Sequence, residues 1–153
     1  MSYRILVVNP GSTSTKIGVY EDENLLFDKT LRHSAEELEK FDSIPAQKDW
    51  RRKLVMKALE DQGFDVKTLS AVSGRGGLLA PIRGGTYAVS DRLVRDCTVG
   101  VQGQHASNLG GIIAREIGAS PPSSWTPWWW MSSATWPALP VTPCSTAPAF
   151  STP

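Results

Sequence analysis

The last 37 residues, Ile117 to Pro153, contain no Asp, Glu, Lys or Arg. A globular surface without charge is unusual. The same stretch holds five of the six tryptophans and eight of the eleven prolines. All 16 basic and 15 acidic residues precede it. Cysteine is scarce, with only Cys97 and Cys144, and no CxxC or Cys/His cluster exists. That argues against a structural zinc site and leaves Cys97 as a small buried apolar residue. No long apolar run occurs near the start, where Ile5–Val8 is too short for a signal-peptide core or a membrane span. A cytoplasmic protein is expected, with no membrane partner. A net charge of +1 gives no pull toward nucleic acid.

The charged part reads as alternating elements. Arg4–Val8 is a β-branched run closed by Asn-Pro-Gly, which predicts a buried strand. Thr15–Glu21 and Leu25–Leu31 predict two more, joined by short turns into an antiparallel meander. Ser34-Ala35-Glu36-Glu37 has the spacing of a capping box. Between Ala46 and Gln62, Trp50, Leu54, Val55, Ala58 and Leu59 recur at helical spacing, and Gly63 stops the helix. Leu69–Val72 reads as a short buried strand, Ser90–Asp96 as a capped helix, and Ser107 or Asn108 as the cap of a last helix reaching Ile117. The order β-β-β-α-α-β, with a helical crossover back to the sheet, suits an α/β layered domain of the ribonuclease-H-like kind.

Three segments can carry chemistry. The first is Asn9 to Lys16. Its glycine, Gly11, lets a backbone approach a ligand closely, and Ser12, Thr13, Ser14 and Thr15 offer N–H and O–H donors to phosphate oxygens. Lys16 adds charge. The Walker A pattern is absent. The second is Gly74-Arg75-Gly76-Gly77, where flanking glycines expose a guanidinium able to fork onto a carboxylate or a phosphoryl oxygen. The third is His105-Ala106-Ser107-Asn108, opening a helix whose N–H groups and histidine favour a developing anion. Taken singly, each also fits a plain role: a Ser/Thr-rich turn, a solvated Arg, a His beside a cap.

Taken together, NPGSTSTKIGVYED, SGRGGLLAPIRGGTYAV and GQHASNLGGIIAREI resemble the N-terminal half of butyrate kinases, in the acetate kinase group of the actin-like ATPase superfamily. The resemblance covers about residues 3 to 117. It implies an incomplete ribonuclease-H-like domain over residues 1–117. It implies ATP and Mg²⁺ as cofactors, a short-chain carboxylate as substrate, and conversion of butyrate and ATP to butyryl phosphate and ADP. By this resemblance Asn9 and Ser12 lie near the phosphates, with Gly11, Thr13, Ser14 and Lys16 around them. Arg75, with Gly76 and Gly77, holds the carboxylate, and His105 stabilises the transition state. Such a transfer needs alignment and charge neutralisation rather than a general base. The family also implies a homo-oligomer. No metal ligand is expected in this chain, because the resemblance stops before the Asp that serves magnesium.

Residues 118–153 are expected to be non-native and disordered, since Pro121, Pro122 and Pro127 remove ladder donors. A frame change near Gly118–Ser120 explains them. Trp and Met have one codon each, so a reading one base earlier turns Trp128-Trp129-Trp130-Met131 into a run containing Val-Val-Asp, and Trp125-Thr126 yields an Asp. On this view the chain is an inactive fragment of a kinase. Two alternatives stand beside it: a non-catalytic protein binding phosphate or a partner through the Trp-rich tail, and a kinase for another short-chain or branched-chain acid.

Overall fold

The computed structural model describes residues 2–119 and the backbone of residues 128–133. The expected meander is present as β1 (Arg4–Pro10), β2 (Ser14–Glu21) and β3 (Asn24–Arg32). β1 and β2 pair antiparallel with Leu6 opposite Val19 and Val8 opposite Ile17. These four side chains are almost fully buried, so the two-residue period of the strands fixes both register and face.

Ser34 caps a single helical turn, α1 (Ala35–Leu38), in a reciprocal capping box with Glu37. A tight 3-10 turn at Pro45–Gln47 leads into α2 (Lys48–Asp61). Gly63, at φ 73°, ends that helix. The chain then returns to the sheet as β4 (Ala71–Arg75), parallel to β1, with Leu6 beside Val72 and Val8 beside Gly74. This strand runs on to Arg75, beyond the Val72 expected from sequence, and Leu69 precedes it. A short strand not foreseen from the sequence, β5 (Gly85–Ala88), follows. Ser90 caps α3 (Asp91–Val99) by accepting from the Leu93 N–H, and Gly100 closes it in the left-handed conformation. A 3-10 turn, Ala106–Asn108, opens α4 (Leu109–Gly118).

Of the two caps expected for α4, Asn108 holds the N-cap position, although its side chain makes no capping bond there. His105 caps the 3-10 turn that precedes the helix, its ring accepting from the Ser107 N–H.

A last strand, β6 (Trp128–Ser133), completes the sheet in the order β3-β2-β1-β4-β6-β5. It runs parallel to β4 and antiparallel to β5. The expectation that the proline-rich tail contributes no strand is thereby corrected. The ladder starts at Trp128, the residue after Pro127, so none of the three prolines stands within it. The remainder of the stretch expected to be disordered, residues 120–127 and 134–153, lies outside the described residues.

One apolar core joins the sheet to the helices. Leu6, Val8, Ile17, Val19 and Val72 pack with Val55, Ala58 and Leu59 of α2 and with Leu109, Ile112, Ile113 and Ile117 of α4. Cys97 belongs to this core, and burial pushes its thiol up to about 11. It is the apolar residue the sequence suggested, and no nucleophile. Glu116 of α4 forms ion pairs with Lys48 (2.7 Å) and Arg52 (3.4 Å) of α2, which ties the two helices at their rim.

Candidate functional site

Side-chain alternation places the polar residues of the first two motifs. On β1, Leu6 and Val8 face the helices, so Asn9 points to the opposite face of the sheet. Lys16 sits directly across from Asn9 on β2 and shares that face. On β4, Val72 and Gly74 face the helices, so Arg75 also projects to the opposite face, one step beyond the Val8–Gly74 pair. Asn9, Lys16 and Arg75 thus gather on one face at the carboxyl ends of two adjacent parallel strands. Lys16 and Arg75 are exposed. Crevices beyond the carboxyl ends of parallel strands are the usual ligand sites of α/β sheets.

The turn between β1 and β2 is organised from within. Gly11 N–H donates to the Ser14 carbonyl at 2.7 Å, and His33 N–H to the Thr13 carbonyl at 2.9 Å. Arg51 of α2 donates to the carbonyls of Gly11 (2.9 Å), Ser12 (3.2 Å) and Ser14 (3.3 Å), and to the Thr15 hydroxyl (3.0 Å). Every carbonyl from Gly11 to Ser14 therefore accepts a bond from the protein. The N–H groups of Ser12 and Thr13 have no partner among the described residues. Acceptors turn inward and donors are left for the outside, which is the polarity an anion requires. Ser12 and Thr13 are exposed, and Gly11 and Ser14 are half-buried.

The second and third motifs interlock. Gly77 lies so close to Asn108 that any side chain there would strike it, and Gly76 is buried. Asn108 is itself buried. Its Oδ1 accepts from the Leu78 N–H (2.7 Å) and its Nδ2 donates to the Gly103 carbonyl (2.9 Å). One amide therefore holds the loop after Arg75 against the loop before His105. His105 is exposed, and its Nδ1 accepts from the Ser107 N–H at 3.1 Å. A backbone N–H can only donate, so the neutral ring carries its proton on Nε2, a donor for an incoming oxygen. The Ala106–Asn108 turn packs against β1, which brings His105 to the strand end that leads into Gly11 and Ser12.

Two contributors escaped the sequence reading. Arg51 is absent from the set of residues expected at helical spacing between Ala46 and Gln62, yet it is 1% exposed. The signal was present: Arg51, Val55, Ala58 and Leu59 fall on one helical stripe. Asn108 is expected as a cap and as part of the third motif, and nothing in its spacing points to Leu78 or Gly103.

Among the described residues no group of three or more His, Cys, Asp or Glu could hold a metal ion. Also among them, no helix is long and apolar enough to cross a membrane.

No family model matches the chain. Curated relatives do. A probable butyrate kinase of Clostridium botulinum (strain Eklund 17B / Type B) is 57% identical over 118 residues, covering 77% of this chain and 33% of that protein. Butyrate kinase 1 of Clostridium acetobutylicum is 60% identical over 115 residues, 75% of this chain and 32% of that protein. The chain thus spans about a third of the length of the curated relatives it matches. Among solved structures, an acetate kinase from Entamoeba histolytica superposes with a TM-score of 0.53 at 13% identity, over 85% of this chain and 36% of that one. The Porphyromonas gingivalis acetate kinase gives 0.51 at 15% identity, over 86% and 37%. These two likenesses show the actin-like ATPase fold.

Proposed function

Because three quarters of this chain is homologous to one stretch of the butyrate kinases, we propose that it carries the phosphate- and carboxylate-handling half of a carboxylate kinase site. The reaction of the whole enzyme is transfer of the γ-phosphoryl group of ATP to butyrate, giving butyryl phosphate and ADP. The observation that carries this reading is the gathering of Asn9, Lys16 and Arg75 on one sheet face, beside a turn whose carbonyls are all engaged inward.

The roles follow from charge. A carboxylate is already a nucleophile, so no group need remove a proton. Two anions must nevertheless meet, and their repulsion is the barrier the protein lowers. In this reading the N–H and hydroxyl groups of Gly11 to Ser14 hold phosphate oxygens, with Asn9 and Lys16 beside them. Arg75 spans the carboxylate and the transferring group, with Gly76 and Gly77 allowing close approach. His105 donates from Nε2 to an equatorial oxygen as charge spreads there. ATP supplies the phosphoryl group when bound. The described residues offer no acidic cluster to hold Mg²⁺.

The chain alone turns over little or no substrate, in this reading, because it spans a third of its relatives. Assayed for ADP release with butyrate, ATP and magnesium, the purified chain stays at background. Turnover at the rate of a full-length butyrate kinase overturns that. Tripolyphosphate, used as a probe of the turn, binds the chain, and Lys16→Ala weakens it. A chain that binds no polyphosphate overturns the assignment of the turn.

The uncharged tail is read as the product of a shifted frame. Its support is the abrupt loss of charge after Glu116, together with a match to the relatives that covers 77% of the chain and not all of it. The gene sequence across codons 115 to 125 decides it. A frame that is continuous there, and whose shifted reading resembles no kinase, removes the explanation.

A further inference from the structure

The Arg51 guanidinium is 1% exposed, yet every group it donates to is neutral. Its Nη1 reaches the Gly11 and Ser14 carbonyls and the Thr15 hydroxyl. Its Nη2 reaches the Ser12 carbonyl and, at 2.9 Å, the Gln47 side-chain oxygen, to which Nε also donates at 3.1 Å. None of the ion pairs among the described residues includes it. Desolvation pulls its pKa down to about 10, so it stays charged at neutral pH. A buried cation without a counter-ion is costly, and apolar replacements of the same shape commonly stabilise a fold. A charge kept under those conditions calls for an anion elsewhere in its field.

We propose that Arg51 is the positioning residue of the phosphate turn. It fixes the inward carbonyls from behind, and its uncompensated charge draws a polyphosphate to the outward N–H groups of Ser12 and Thr13. This rests on the reading of that turn as a phosphate site. Arg51 does not touch the anion. A guanidinium has five N–H donors, and all three of its nitrogens are already engaged by the turn, Thr15 and Gln47. It acts through the carbonyls it orients and through space, where low permittivity prolongs the reach of a charge. Lysine cannot replace it fully, because one ammonium cannot fork across three carbonyls. The Gln47 oxygen takes two of the guanidinium bonds and sets the plane of the fork.

The test uses the full chain with tripolyphosphate as the probe, titrated well below the unfolding temperature of each variant. Arg51→Gln weakens binding by about tenfold or more, and Arg51→Lys recovers part of the loss through charge alone. In both variants the Ser12 and Thr13 amides exchange faster than in the parent. A purely structural arginine gives a different pattern: a lower unfolding temperature with unchanged affinity in the folded variant. That result overturns the proposal. Where both Arg51 variants fail to fold, Gln47→Ala carries the test, since it removes only the acceptor that orients the fork. Weaker tripolyphosphate binding by that variant supports the positioning role, and unchanged binding overturns it. A parent chain that binds tripolyphosphate while all three variants bind equally well defeats this inference alone. A parent chain that does not bind defeats the phosphate reading and this inference together.

Discussion

Gly74 in β4 and Gly110 in α4 meet backbone to backbone. A side chain on either glycine would run into the other element's main chain, at the Gly110 carbonyl in one direction and the Arg75 carbonyl in the other. This contact seats the last helix on the strand that presents Arg75, and so sets the distance between the second and third motifs. Backbone cannot yield as a flexible side chain can. Gly74→Ala therefore costs about 3 kcal/mol or more in unfolding free energy. Urea unfolding checks it, and a loss below about 0.5 kcal/mol would show that α4 shifts freely.

Asn108 joins the Leu78 and Gly103 loops through one buried amide. Asn108→Ala leaves a backbone N–H and a carbonyl without partners, at a cost of about 2 kcal/mol. The local effect is the sharper one. Leu78 loses its acceptor, so its amide exchanges with solvent faster than before, while amides of β2 and β3 keep their protection. Uniform acceleration across the chain would mean that Asn108 merely supports the whole fold.

The contrast between these residues and the motifs explains what the sequence could reveal. The meander was legible because β1 carries the continuous β-branched run Ile5–Val8 and β2 alternates through Ile17 and Val19, and the capping box because Ser34 and Glu37 carry a local signature. Asn9, Lys16 and Arg75 stand out in the sequence because a hydroxyl run and a glycine-flanked charge are local signals. Arg51 and Asn108 were not, since their partners lie far along the chain, as with Arg51 and Gly11 at a separation of 40 residues. No periodicity encodes that contact. β5 was missed because Gly85–Ala88 is short and opens with glycine, a poor strand former. β6 was missed because nearby prolines argued against a ladder that begins just after them.

His33 makes the fold sensitive to mild acid. Its ring is buried against Trp50, at 4.7 Å between centroids, and its Nε2 pairs with the Thr15 hydroxyl at 2.9 Å. Its Nδ1 has no partner among the described residues. Burial first, and the charge of Arg51 second, hold the His33 pKa below its ordinary value, with Glu37 opposing them. A lowered histidine pKa means the unfolded chain binds the proton more readily. The associated stability is complete above the ordinary pKa of about 6.5 and is lost as pH falls through the folded value. Urea midpoints therefore decline from pH 7.5 toward pH 5, and His33→Gln flattens that decline. An equally steep decline in the variant would place the proton uptake elsewhere.

β6 separates β4 from β5 and pairs with both. Reading the tail as foreign to the fold suggests that its removal loses nothing. The sheet order argues otherwise, because β5 reaches the sheet only through β6, and β4 then ends as an edge with unpaired N–H and C=O groups. A chain ending at Ala119 should bring faster amide exchange in the β4 groups that do not pair with β1, and in those β5 amides that face β6. The β1–β2 amides, whose partners all lie within the meander, should keep their protection. Hydrogen exchange on the two lengths of chain reads this directly. Identical protection of β4 in both would mean that the Trp-rich strand contributes nothing to the sheet, and that the edge beside Arg75 is already satisfied without it.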